Sequence, residues 1–271
     1  MKWCVRSRFE SGFRDLSFIL IHSSFRLLTF FANIYTGSRL PDDIKDNTMK
    51  KLFILILLLA GTAFAQEKFE IKDASKTYDV RLAVAKCSDG TCEGHVTVTL
   101  FKKGSTAPAQ VFKLADTSFM LENDGTAPVN DMLLYDKQSA LNFGDFNFDG
   151  VEDLAICDGH NGAYGMPSYQ VYLYTPATKR FVRNAGLTKL GQENLGMFEV
   201  DKERKMISTF SKSGCCWHIS EEYKIVNNRP VKVFEEVEDA TIPDESKVKI
   251  TTKRLVEGKW KTTVKYIKRE G

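Results

Sequence analysis

Between two short apolar runs, residues 139–143 and 154–157, lies Asp145-Phe146-Asn147-Phe148-Asp149-Gly150-Val151-Glu152-Asp153. Counting from Asp145, oxygen-bearing side chains fall at positions 1, 3, 5 and 9, and position 6 is glycine. Hard cations such as Ca²⁺ take six to eight oxygens and accept carboxylate, amide and backbone carbonyl together. Asp145, Asn147, Asp149 and Asp153 offer side-chain oxygens, and Val151 offers its carbonyl. Gly150 permits the sharp turn because it reaches positive φ without a Cβ penalty. Phe146 and Phe148 alternate with the oxygen donors and are expected to pack away from an ion. The bland reading of the same residues is an acidic turn with no ion.

The flanks rule out a full EF-hand. Position 12 is Ile156, where an EF-hand needs a bidentate Glu, and the short apolar flanks read as strands rather than helices. A calcium loop between strands, in the run Gly144-Asp145-Phe146-Asn147-Phe148-Asp149-Gly150-Val151-Glu152-Asp153-Leu154, resembles the FG-GAP/VCBS-type repeat of integrin-like and bacterial extracellular β-proteins.

The start of the chain has a different character. Residues 1–48 are rich in Phe and Arg and show no clean helical or strand period. Met49-Lys50-Lys51, an apolar run over 52–59, and Ala63-Phe64-Ala65 before Gln66 together make a basic start, a short hydrophobic core and a small-x-small cleavage site. That is a secretory signal peptide over 49–65, with a run too short to span a membrane comfortably. Residues 1–48 then read as upstream translation. The alternative is a genuine extension lying in a membrane over 18–35, against which Arg26 and His22 argue. Cleavage near Ala65 leaves 66–271 as a periplasmic or secreted single domain, with a possible sub-boundary near 123–130. Residues 1–65 hold nine Lys/Arg and five Asp/Glu, so their loss takes the formal charge from +3 to −1. A nearly neutral exported chain offers no electrostatic footprint for nucleic acid.

Export also exposes Cys87, Cys92, Cys157, Cys215 and Cys216 to oxidation. Cys87 and Cys92 flank Ser88-Asp89-Gly90-Thr91, whose Asp-Gly is a two-residue hairpin signal. Counting outward pairs 87 with 92, so a cross-strand disulfide is expected. Cys157 bonds Cys215 or Cys216, or the last two bond each other; the sequence leaves this open. A free thiol beside His218 would be a nucleophile–base pair, but no third, orienting group accompanies it.

The remaining pattern is β-rich. Residues 78–86 and 95–102 bracket the cysteine hairpin, 110–114 and 118–121 are further strand candidates, and 123–130 is a loop. Residues 188–194 read as a short helical turn. Further on, 197–200 leads into 205–211. The run 217–226 turns at Asn227-Asn228 into 231–238, and 247–256 turns at Glu257-Gly258 into 260–268. The expectation is an all-β chain of antiparallel hairpins forming a meander, a sandwich or an irregular propeller. In the last hairpin the charges alternate with Val, Ile and Trp and read as one solvated sheet face.

Two loops are candidate contact surfaces. Asp158-Gly159-His160-Asn161-Gly162-Ala163-Tyr164-Gly165-Met166-Pro167-Ser168 sets Tyr164 between small residues, a place for an aromatic anchor. Ser213-Gly214-Cys215-Cys216-Trp217-His218 is the second. His160, Tyr164 and His218 are the candidate partner-binding residues.

The calcium loop, the run 157–174 with Asn-Gly-Ala-Tyr-Gly and Pro-Ser-Tyr, and Ser-Gly-Cys-Cys-Trp-His together resemble one group of secreted bacterial β-proteins. That group includes a periplasmic immunity protein of type IV secretion killing systems. Its fold is similar to periplasmic lysozyme inhibitors. The resemblance covers roughly 141–240. It implies a binding protein, not an enzyme, in which Ca²⁺ stiffens the scaffold and a loop blocks the cleft of a peptidoglycan hydrolase. The alternative is a calcium-dependent extracellular adhesion or ligand-binding module of FG-GAP/VCBS type. An enzyme is the third reading: Asp158 and His160 can be imagined as an acid/base pair, but no second convergent constellation supports them.

Overall fold

A computed structural model describes residues 66–131 and 139–269 of the chain; the expected upstream segment 1–48 and leader 49–65 lie outside the described residues. Phe64–Glu270 is a compact unit that contains both of the hydrophobic cores described below.

The first sheet runs β1 (Glu67–Ile71), β2 (Tyr78–Ser88), β3 (Thr91–Lys102), β4 (Pro108–Leu114), with β5 (Ser118–Met120) paired to the start of β3. Asp89 and Gly90 hold φ of 51° and 76°. Positive φ at both centres matches the right-handed twist of the strands they join. The register sets Cys87 opposite Cys92, and the two are disulfide-bonded, as the spacing predicts.

The second sheet is β6 (Leu141–Gly144), β7 (Asp153–Cys157), β8 (Tyr169–Thr175) and β9 (Arg180–Arg183). The third is a meander of β10 (Glu199–Asp201), β11 (Met206–Ser213), β12 (Trp217–Val226), β13 (Arg229–Asp239), β14 (Lys247–Val256) and β15 (Lys259–Lys268). The three hairpins anticipated in the second half are therefore neighbours in one continuous sheet, not separate blades. Their turns at Asn227-Asn228 and Glu257-Gly258 again carry positive φ at both centres.

What stacks these sheets is β7, whose five residues are all buried. Leu154 and Ile156 join a core with Val80, Leu82, Leu100 and Phe112 of the first sheet. Ala155 and Cys157 join a second core with Tyr169, Val171, Leu187, Phe198 and Ile207. A strand covered on both faces has to be apolar throughout rather than alternating, which is why residues 154–157 read as a continuous run. The first core also draws on residues either side of the irregular 123–130 stretch: Phe119 precedes it and Leu141 follows it. The architecture is all-β and sandwich-like.

The one α-helix among the described residues, α1 (Ala185–Glu193), packs Leu187 and Leu190 into the second core. It begins earlier than the 188–194 turn expected from sequence because Asn184 caps it: its Oδ1 accepts the Leu187 N–H at 2.9 Å. Its Nδ2 donates to the Asn228 carbonyl at 2.7 Å. Loss of this cap in Asn184→Ala is expected to cost about 1 kcal/mol, read as a fall of about 2–4 °C in Tm.

Candidate functional site

Two loops lie at opposite ends of β7. The acidic loop enters it and the glycine-rich loop leaves it. At about 3.3 Å per residue, the five-residue strand separates them by about 15 Å.

In the acidic loop, Asp145 acts as a turn organiser: its Oδ1 accepts the Asp149 N–H at 3.0 Å and its Oδ2 the Gly150 N–H at 2.9 Å. Asn147 Oδ1 accepts the Asp149 N–H at 3.2 Å, and Asp149 Oδ1 accepts the Val151 N–H at 2.8 Å. Gly150 has the expected positive φ, 85°, and Phe148 shares the left-handed region at 64°. Phe146 is buried and meets Phe198 edge-on at 5.6 Å, with Phe148 against the same core, so both rings pack away from the loop's oxygens as predicted. Asn147 Nδ2 also donates to Asn228 Oδ1 at 3.0 Å, fastening the loop to the β12–β13 turn.

Asp153 is fully buried. Its Oδ2 accepts the Phe146 N–H and its Oδ1 the Tyr174 N–H, both at 2.9 Å. Burial nevertheless pushes its carboxyl up to about 7, and the charges of Asp149 and Asp145 add to the rise. Among the described residues no cationic side chain bonds Asp145, Asp149 or Asp153. The loop thus concentrates three carboxylates, an amide and a carbonyl without a counter-charge, and those donor types suit a hard dication. Among the described residues no three His, Cys, Asp or Glu side chains converge as a metal cage.

The glycine-rich loop is held from within. Asp158 is buried; its Oδ1 accepts from Ser168 Oγ and its Oδ2 from Gln192 Nε2, both at 2.5 Å. Asp158 is therefore a loop clamp that ties the loop to α1. The His160 Nδ1–H donates to the Gly165 carbonyl at 2.9 Å, and Nε2 shares a hydrogen bond with Ser118 Oγ at 2.7 Å. Gly162 N–H donates to Met166 O, and Ala163 N–H donates to Asn194 O, each at 3.0 Å. A Cβ at Gly162 would lie 2.7 Å from the Met166 carbonyl, so only glycine fits this closure.

These bonds hold Tyr164 at the apex with φ 58°, a costly backbone for an aromatic residue, and leave it 63% exposed. Its hydroxyl accepts the Gly214 N–H at 2.5 Å, and Lys212 Nζ sits 5.5 Å from its ring centroid. Lys212 is in register with His218 across β11–β12. His218 is half-buried, with Nδ1 3.5 Å from Glu238 Oε2 and its ring 5.8 Å from Phe210. The two candidate loops do meet, through Tyr164, Gly214 and Lys212. Neither Lys212 nor Gly214 was named from sequence as a partner-binding residue, and no local spacing joins them to Tyr164.

Cysteine is not the link between the loops. Cys215 and Cys216 are bonded to each other, and Cys157 is a free, buried thiol. Cys157 donates to the Ser118 carbonyl at 3.1 Å, and burial pushes its pKa up. A buried, protonated thiol is inert, and the cysteines beside His218 hold no free thiol, so no nucleophile–base pair forms here.

No known protein family matches the chain, and no curated protein matches it. A solved structure does: a Xanthomonas type IV secretion system related protein is 26% identical, with a TM-score of 0.57, over 74% of this chain and 94% of that one. The all-β fold is shared with a bacterial secretion-related protein. No helix among the described residues is long and apolar enough to cross a membrane.

Proposed function

We propose that this protein is a periplasmic binding protein that neutralises a peptidoglycan-degrading glycoside hydrolase, with Tyr164 as the group that enters the enzyme's cleft. The observation that carries this reading is Tyr164 itself: an exposed aromatic in a left-handed backbone, braced by Gly214 and by the bonds of its own loop. Ordering a loose loop on binding costs affinity, and this loop is ordered beforehand. Glycoside hydrolases place two carboxyl groups across the scissile bond. A tyrosine hydroxyl that still has its proton to donate, beside the Lys212 ammonium, complements such a pair. His160 serves by holding the loop and His218 by flanking Lys212. The similarity to a type IV secretion system related protein supports the same reading, since the sequence resembles a group that includes an immunity protein of type IV secretion killing systems.

The test is titration of Phe64–Glu270 into peptidoglycan-hydrolysis assays with a panel of lysozyme-type and chitinase-like enzymes. Stoichiometric inhibition of one of them is expected. Binding to a glycan or cell surface without inhibition of any enzyme would replace this reading with an adhesion module.

Ca²⁺ belongs to the same proposal as a structural ion. Asp145, Asn147, Asp149, the Val151 carbonyl and Asp153 would hold it, and its contribution is charge neutralisation and stiffening at the entrance to β7. Saturation to about 100 Kd stabilises a fold by about 2.7 kcal/mol. Addition of chelator is therefore expected to lower Tm by about 5–10 °C. An unchanged melting curve with and without chelator would remove the ion from the account.

A further inference from the structure

The last hairpin differs from its sequence expectation in a way that points to a surface. One face of β15 was expected to be solvated; in the structure every residue of the strand is exposed, on both faces. Trp260, Val264 and Tyr266 lie on one face by strand alternation and are 46%, 50% and 59% exposed. The register adds Leu255, Lys249 and Lys247 of β14 to that face, opposite Trp260, Tyr266 and Lys268.

Charge is segregated in the same place. Residues 247–269 contain nine Lys/Arg and one Glu, a formal +8, whereas the rest of 66–271 carries −9. Among the described residues Lys249 and Lys268, on the face of Trp260 and Tyr266, make no ion pair, and neither do Lys259, Lys261 and Lys265 on the opposite face. A second copy of the chain is a poor occupant for this edge, because antiparallel pairing of two β15 strands would align lysine against lysine.

We propose that the β14–β15 hairpin docks on an anionic phospholipid surface, with Trp260 and Tyr266 seated at headgroup level and Lys249 and Lys268, on the same face, meeting the lipid phosphates. Trp and Tyr concentrate at membrane–water interfaces because an apolar ring body and a polar N–H or O–H suit both sides. Basic residues beside a bilayer are drawn to anionic lipid over about one Debye length. A row of Trp, Val and Tyr on an exposed ribbon flanked by lysines meets both requirements without any membrane-spanning element. This inference does not depend on hydrolase inhibition.

The probe is sedimentation of Phe64–Glu270 with vesicles of phosphatidylcholine alone, or mixed with phosphatidylglycerol. Binding only to the anionic vesicles, weakening with salt, is expected. Lys249→Gln with Lys268→Gln should weaken it about 30-fold, two surface lysines' worth. Trp260→Ser with Tyr266→Ser should reduce it further, with circular dichroism unchanged. In a Trp217→Phe background the emission of Trp260 should shift to the blue on anionic vesicles. Equal binding to both vesicle types, no binding to either, or unchanged binding by the lysine variant would overturn the proposal. So would retention by isolated peptidoglycan in place of vesicles.

Discussion

Tyr164→Ala is expected to weaken inhibition of a sensitive hydrolase about 100-fold. Aromatic anchors at the centre of an interface typically cost 2–4 kcal/mol on truncation, and Tyr164 is the exposed aromatic at the apex of the braced loop. The substitution also removes the hydroxyl that accepts the Gly214 N–H and the ring beneath Lys212, so part of the loss is disorder between the two loops. Tyr164→Phe isolates the ring's part. It keeps the ring and its cation contact but loses the hydroxyl, and with it both the Gly214 bond and the donation to a cleft carboxylate, and an intermediate loss of about tenfold is expected. Tm should hardly change in either variant, because the side chain is outside both cores. Full inhibition by Tyr164→Ala at wild-type stoichiometry would move the contact surface elsewhere.

Local signals in the chain were legible wherever the physics is local. Asp89-Gly90, Asn227-Asn228 and Glu257-Gly258 each specify a turn by their tolerance of positive φ, and each fixes the register of the strands beside it. The placement of Cys87 against Cys92 follows from counting out of such a turn. The alternation of Phe146 and Phe148 with oxygen-bearing residues correctly assigned the rings to the interior. The start of α1 was missed although Asn184 is a standard cap, because Gly186 dilutes the helical pattern just after it. Strands β1 and β9 were missed for a different reason: each is short and largely exposed, so burial imposes little pattern on it.

The assembly of the site was not legible. Tyr164 meets Gly214 across 50 residues, and His160 meets Ser118 across 42. Such contacts follow from the stacking of sheets, which no local period encodes. The same limit applied to the cysteines. Spacing left three pairings open among Cys157, Cys215 and Cys216, and burial of Cys157 between sheets left Cys215 and Cys216 to each other. It applied again to β15, where alternation shows which residues share a face but not that neither face is covered.

Leu154→Ala is expected to destabilise Phe64–Glu270 by about 3 kcal/mol, lowering Tm by about 6–12 °C. Leu154 is fully buried on β7, and its neighbours in the core come from strands of two different sheets, so they have little freedom to close over a cavity. Urea unfolding should show a lower midpoint with an unchanged slope, because the surface exposed on unfolding is nearly the same. Val111→Ala on β4, at a position 47% exposed, should shift the midpoint within about 0.5 kcal/mol and serves as the control. Ala155→Leu tests the opposite face: it forces three carbons into the second core and is expected to cost about 1–3 kcal/mol. If both buried substitutions cost under about 1 kcal/mol, β7 is not the strand that holds the layers together. If both are costly, the strand that joins the acidic loop to the Tyr164 loop is also the one the sheets pack against. The position of Tyr164 then rests on the most rigid part of the fold, which a cleft-filling side chain requires.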